Sequence, residues 1–332
     1  MTIAEGSGVS LRYKFYSVGT MATNTEADTA TAPGATGGQV LRYTSASLNL
    51  RVNNTRSAEI LPSRQVRSSR RTSRRVEGTI GGELSPGTYF DWIEAALRGT
   101  RASATDGFSV TAPASGHVRR KLAVERYNTD LDKSRLYTEM RVTGFRLSVP
   151  AEGNSTVEFM VLGRNRKTLS AGAAPYLTGP TAATTTEVCN SLGGSISIDG
   201  VAVGLVTAAT VSVATASEAP AVLGQAFPPD ILLGTTQVDG TLTFLLDDAD
   251  TAATIFENET EVSVTLVVTN ATTGGDSITI ELPRVKLNSA DEDIRGDLSQ
   301  PVTCAFQALE YLGGDSDKPA STIRITDTAV AA

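Results

Sequence analysis

Val76-Glu-Gly-Thr-Ile80 and Val238-Asp-Gly-Thr-Leu242 are one pattern written twice, 162 residues apart. Each sets an acidic-Gly-Thr core between apolar positions, the period-two signature of a half-buried strand. Upstream, Ser45-Ala-Ser-Leu48-Asn-Leu50 matches Ala208-Ala-Thr-Val211-Ser-Val213. Downstream, Val142-Thr-Gly-Phe145-Arg-Leu147 is set against Leu282-Pro-Arg-Val285-Lys-Leu287, and Val157–Leu162 against Val302–Leu309. The offset falls from 162 or 163 to about 140, which assigns the first copy a longer loop over 99–132. The shared order predicts an internal duplication. The alternative is that Thr/Val-rich strands resemble one another anyway.

Alternation extends through Leu48–Val52, Val157–Val161, Ile196–Ile198, Val262–Leu266 and Ile278–Ile280, so the fold is expected to be mainly β. Two segments depart from it. Phe90, Ile93 and Leu97 share one helical face and Gly99 follows as a stop, while Asp247, Asp248 and Asp250 open a second helical stretch ending at Ile255-Phe256. One short helix per copy is predicted. The expected division is a first unit over 1–170 with loops at 19–38 and 99–132, a linker at 171–189, a second unit over 190–310 and a C-terminal arm at 311–332.

Composition narrows the function. The 332 residues are 40% hydrophobic, too apolar for a disordered chain. No run approaches the roughly 18 apolar residues of a membrane span. Met1–Gly8 has neither a basic n-region nor an apolar h-region, so no secretory signal is expected. Cys189 and Cys304 lack CxxC spacing, and the single His117 sits in a loop-like stretch without an oriented partner. No nucleophile motif is present, so no enzyme, cofactor or metal is expected. The carboxylates of Asp291–Asp297 depart from EF-hand spacing, which leaves a weak cation site open there.

Charge is divided between the halves. Residues 1–170 hold 24 basic and 15 acidic side chains, while 171–332 hold 5 and 21. Arg64, Arg67, Arg70, Arg71, Arg74 and Arg75 are expected in a loop, with nucleic-acid binding, a solvated face and a protein contact as competing readings. The absence of an interleaved aromatic weighs against nucleic acid. In the second copy, the matching loop carries Val222, Leu223, Phe227, Ile231, Leu232 and Leu233 instead. These either fold back on their own unit or form a patch buried on assembly.

From Leu41 to Leu97 a strand leads to a polar loop with Glu59-Ile60 and Arg64-Gln65, then Val76–Ile80, Glu83-Leu84-Ser85, and Tyr89 and Trp92 in a helix. With Gly240–Leu246 and Leu282–Val285, this order resembles the tube proteins of long, non-contractile phage tails, over roughly residues 9–165 and 190–310. The resemblance implies two tandem β-sandwich or half-barrel units whose inner sheets join into a closed tube. It further implies three chains per pseudo-hexameric ring, rings stacked as a conduit for DNA that is not gripped, and other tail proteins at the tube ends. Such a protein belongs to the virion tail and is assembled in the host cytoplasm. The alternative is a two-domain carbohydrate- or receptor-binding module of a tail tip, which needs clustered exposed aromatics.

Overall fold

Nearly every alternating run is a strand. The computed structural model describes residues 5–16, 33–60, 62–104, 107–170, 172–203, 205–245, 255–271, 274–292, 300–313 and 320–329. The N-terminal half holds β1 (Val9–Tyr16), β2 (Gln39–Leu41), β3 (Ser45–Ala46), β4 (Asn49–Arg56), β5 (Ser69–Glu83), α1 (Phe90–Leu97), β6 (Ala102–Ser103), β7 (Phe108–Thr111), β8 (Lys121–Asn128), β9 (Lys133–Pro150), β10 (Thr156–Gly163) and β11 (Asn165–Leu169). The C-terminal half holds β12 (Ser195–Ile198), β13 (Val201–Val203), β14 (Val206–Glu218), β15 (Leu232–Leu245), β16 (Val262–Thr269), β17 (Ser277–Leu287), β18 (Asp291–Glu292), β19 (Pro301–Ala308) and β20 (Arg324–Asp327).

β9 serves two sheets. Its first part lies between β8 and β11, extending through β1 to β2, and its second part lies between β10 and β14. The second sheet runs β4-β5-β10-β9-β14-β15-β19-β17, all antiparallel. The halves therefore share a ladder, Gly144–Pro150 of β9 against Ala208–Ala214 of β14. A Cβ on Gly144 would run into Val213 O, so the glycine permits this close approach. α1 packs Trp92 edge-on against Tyr13 (5.4 Å) and tilted on Phe159 (5.5 Å). Trp92 is fully buried, so its truncation to Ala costs about 3–5 kcal/mol. Arg98, in the left-handed region at φ 59°, ends the helix by donating its N–H to Glu94 O.

The register is informative. Val76 of β5 faces Leu50 and Gly163, and Val238 of β15 faces Val213 and Ala308. The β4–β5 ladder breaks step between Val52 and Asn54, and β14–β15 between Thr215 and Ser217, with a further break at Val206/Ala208. β8–β9 breaks between Leu122 and Val124, and β16–β17 between Val262 and Val264. β9 carries an extra residue at Thr143 opposite Met160/Val161. Beyond β17, the N–H groups of Asn288 and Ser289 both donate to Ala305 O, before Asp291 resumes pairing with Thr303.

Several expectations change. Residues 99–132 are not a loop: β6, β7 and β8 lie there, with Leu122, Ala123 and Val124 all buried. Burial on both faces removes the alternation that would have signalled β8. Arg70, Arg71, Arg74 and Arg75 lie on β5, paired with Thr55, Asn54, Val52 and Arg51. The C-terminal arm supplies β20, inserted between β17 and β7 with Ile323 and Ile325 fully buried. The expected second helix falls mostly on residues 246–254, outside the described residues, and 255–257 are helical. The expected loop at 19–38 is described only from residue 33.

The stretch expected as a linker is held to the first half by a buried carboxylate. Glu125, fully buried, accepts the N–H groups of Tyr176 (2.6 Å) and Leu177 (2.9 Å). Arg42 donates to Thr186 O at 2.6 Å, and Cys189 donates its N–H to Leu84 O.

Candidate assembly surface

β4 and β5 form a hairpin that leaves the body beyond Val76. Along β4 and the first part of β5, side chains are exposed or half-buried on both faces, which is why Ser, Asn and Arg replace apolar residues there. Arg51 and Arg75 both meet Glu77, at 2.9 and 3.2 Å, and Arg67 stands 3.6 Å from Glu59 at the tip. All are exposed enough that each pair contributes little stability, about 0–1 kcal/mol. Arg64 holds a positive φ of 54° in the tip, and Arg70 and Arg71 are exposed.

The hairpin meets the apolar stretch of the other half. Arg74 lies over the Phe227 ring at 3.9 Å and donates its N–H to Ala226 O at 2.9 Å, beyond the point where β10 stops pairing with β5. Phe227 and Ile231 are buried within this chain, so these two fold back on their own molecule. Val222 and Leu232 are more than a third exposed and Leu223 fully so, while Leu233 is half-buried in β15. Of the twelve residues expected at a subunit contact, the structure brings Arg74 and Phe227 together inside one chain.

Three side chains with no signal in the sequence fix this junction. Arg164, 1% exposed, donates to Pro228 O at 2.6 Å and to the Glu139 carboxylate. Lys121 adds its ammonium 3.4 Å from Glu139. Arg141 donates to Asp230 at 2.9 and 3.2 Å. Glu139 sits at φ 50°, at the break in the β8–β9 ladder, and its N–H donates to the Tyr16 hydroxyl oxygen. Their partners lie far along the chain, where no spacing rule reaches.

The chemistry elsewhere is plain. His117 is exposed, and desolvation and then Arg98 push its pKa below the ordinary value. Burial pushes the Cys189 and Cys304 thiols up to about 12 and about 11, so neither is a ready thiolate. Among the described residues, no three His, Cys, Asp or Glu converge on a metal position. Asp293–Asp297 lie outside those residues. Tyr13, Tyr89, Trp92, Phe145, Phe159 and Phe306 are buried in the core.

A model of the phage tail tube protein family matches residues 6–308. The chain belongs to that family. No curated protein matches it. A tail tube protein is a structural component of the virion tail that assembles with itself and with other tail proteins. The β4–β5 hairpin of this tube protein is exposed along much of its length, as are Leu223 and Leu232.

Proposed function

We propose that this chain is the major tail tube subunit of a long, non-contractile tail, and that its halves are two copies of one tube unit. The observation that carries the reading is the ladder register. Three ladders in each half break step at corresponding places: Val52/Asn54 with Thr215/Ser217, Leu122/Val124 with Val262/Val264, and Thr143-Gly144 with Asn288-Ser289. β-Bulges are conserved features of a fold rather than accidents of composition. On this register Val142 corresponds to Leu287, five residues from the match suggested by alternation alone.

The two units lie edge to edge across β9 and β14, leaving β4 at one end of the sheet without a strand on its outer edge among the described residues. Repeating that seam between chains closes the wall, removes the open edges and yields three chains per pseudo-hexameric ring. Stacked rings make the conduit through which DNA is ejected without being gripped. Arg64–Arg75, Val222, Leu223 and Leu232 contact neighbouring chains or rings, other tail proteins cap the tube ends, and assembly takes place in the host cytoplasm. Negative-stain microscopy of the purified protein should give rings or tubes, and native mass spectrometry of an isolated ring three chains. Six chains per ring, or monomers under every condition, overturn the proposal.

A further inference from the structure

One half of the chain is covered by the other where its buried charges lie. The segment between β14 and β15 crosses the Lys121–Glu139–Arg164 cluster, with Pro228 O on Arg164 and Asp230 on Arg141. The ladders identify the counterpart of this place in the C-terminal half. Leu122 faces Met140 just before one break, and Val262 faces Val285 just before the other. Glu139 therefore corresponds to Arg284, and Lys121 to Glu261.

At that counterpart the charges are exchanged and the surface is open. Arg284 grips Glu261 with two hydrogen bonds of 2.7 Å, and both side chains remain more than 40% exposed. They line an open pocket of about 360 Å³ with Val262, Pro283, Glu310 and Leu312, the last 79% exposed. Glu257 and Glu259, four and two residues before Glu261, are exposed, Glu259 paired with Lys286. In the N-terminal half the equivalent ground is covered by the hairpin tip of the following unit. Here the following unit belongs to another chain.

The N-terminal unit has a tip of similar length, 12 residues against 13, and of charge opposite to the carboxylates at the pocket. Residues 57–68 join β4 to β5 as 219–231 join β14 to β15. The tip carries Arg64 and Arg67, flanked by Arg56, Arg70 and Arg71, against the single Glu59. Ile60 is fully exposed and Val66 61% exposed, two apolar side chains that one chain alone leaves in water. Counting back ten residues from Val76 and from Val238 makes Val66 the counterpart of Pro228.

We propose that the 57–68 tip of one chain seats in the Glu261–Arg284–Glu310 pocket of a second copy of this chain in the same ring. β4 then adds to the outer edge of Leu287–Glu292. Transferring the pairing of Phe145 with Val213 sets Leu50 opposite Ala290 across that seam. The charge complementarity selects the partner and the register, and Ile60, Val66 and Leu312 become buried. The inference rests on the ring reading above and specifies which surface each chain offers.

Cross-linking separates the two. The double variant Val66→Cys/Leu312→Cys places thiols on exposed positions, while the native Cys189 and Cys304 are buried. Treating assembled tubes with a short bis-maleimide should give a covalent ladder that stops at three chains, absent from either single variant. Rings of three chains that form normally but give no ladder overturn the docking and leave the ring standing. A ladder running beyond three chains also overturns it, because the tip then reaches the next ring. Preparations of the unsubstituted protein that never form rings overturn the ring reading itself. The contact is also read without substitution: amide exchange in 57–68 and 309–313 should slow together on assembly, and an unchanged rate in either segment refutes the proposal.

Discussion

Replacing Arg164 with Met should be among the most damaging single changes outside the aromatic core. Arg164 and Glu139 are 1% and 2% exposed, so neither charge has water to fall back on. Arg164→Met takes from the buried Glu139 carboxylate its guanidinium partner, with Lys121 still 3.4 Å away, and removes the donor from Pro228 O. Leaving one member of a buried pair uncompensated costs about 3–5 kcal/mol. Replacing all three charges with apolar residues of similar volume, Lys121→Met/Glu139→Leu/Arg164→Met, should cost far less, because the cluster then holds no buried charge. Urea unfolding of unassembled protein, followed by circular dichroism, measures both. The single variant should shift the midpoint strongly and the triple variant should recover most of the loss. A single-variant loss under about 1 kcal/mol, or a triple-variant loss equal to the sum of the three singles, refutes the assignment of this cluster as a latch between the halves.

Gly144→Ala should destabilise by about 1–3 kcal/mol, seen as a lowered melting temperature, because the added Cβ meets the Val213 carbonyl at the β9–β14 seam. Asp327 gives a pH signature. Burial raises its carboxyl from 3.8 to about 6, so the folded chain keeps a proton that the unfolded chain has released. Its contribution is fully present below the unfolded value and is lost as pH rises through about 6, a swing of roughly 3 kcal/mol. Urea midpoints at pH 4 and pH 7 should show that slope, and Asp327→Asn should flatten it. Arg70→Ser/Arg71→Ser should leave folding within about 0.5 kcal/mol of the parent, because both side chains are exposed, while light scattering shows assembly beginning at higher concentration. High salt should mimic that loss. Normal assembly with lost DNA affinity would instead favour nucleic-acid binding, and no change in either would mark a solvated face.

Alternation made the strands at Val157–Val161, Val262–Leu266 and Ile278–Ile280 legible because one face of each is buried and the other is not. It failed where that asymmetry is missing. β8 is buried on both faces, and the arginine end of β5 on neither. Alternation also cannot count: a pattern of period two matches itself at many shifts, so it aligns Val142 with Leu282, where the proposed duplication, counted from the bulges, aligns it with Leu287. The basic and acidic halves were visible as composition. That Arg74 stacks on Phe227, and that Arg164 caps Glu139, depends on pairs which the fold alone brings together.

The position of β20 dictates when the molecule can be finished. β7 finds its partner in β20, and the Gly87 N–H in the Asp327 carboxylate, 240 residues further along the chain. A ribosome that has released the whole N-terminal half has still not delivered the strand that completes its sheet. During synthesis β7 therefore waits with a bare edge while the second half is made, and closure is among the last, slowest events because it spans the longest loop. Nascent tube subunits thus pass through a stage at which an early edge is open to the wrong strand, including one from a neighbouring polysome. Only a chain translated through β20 presents a finished surface to the growing tail.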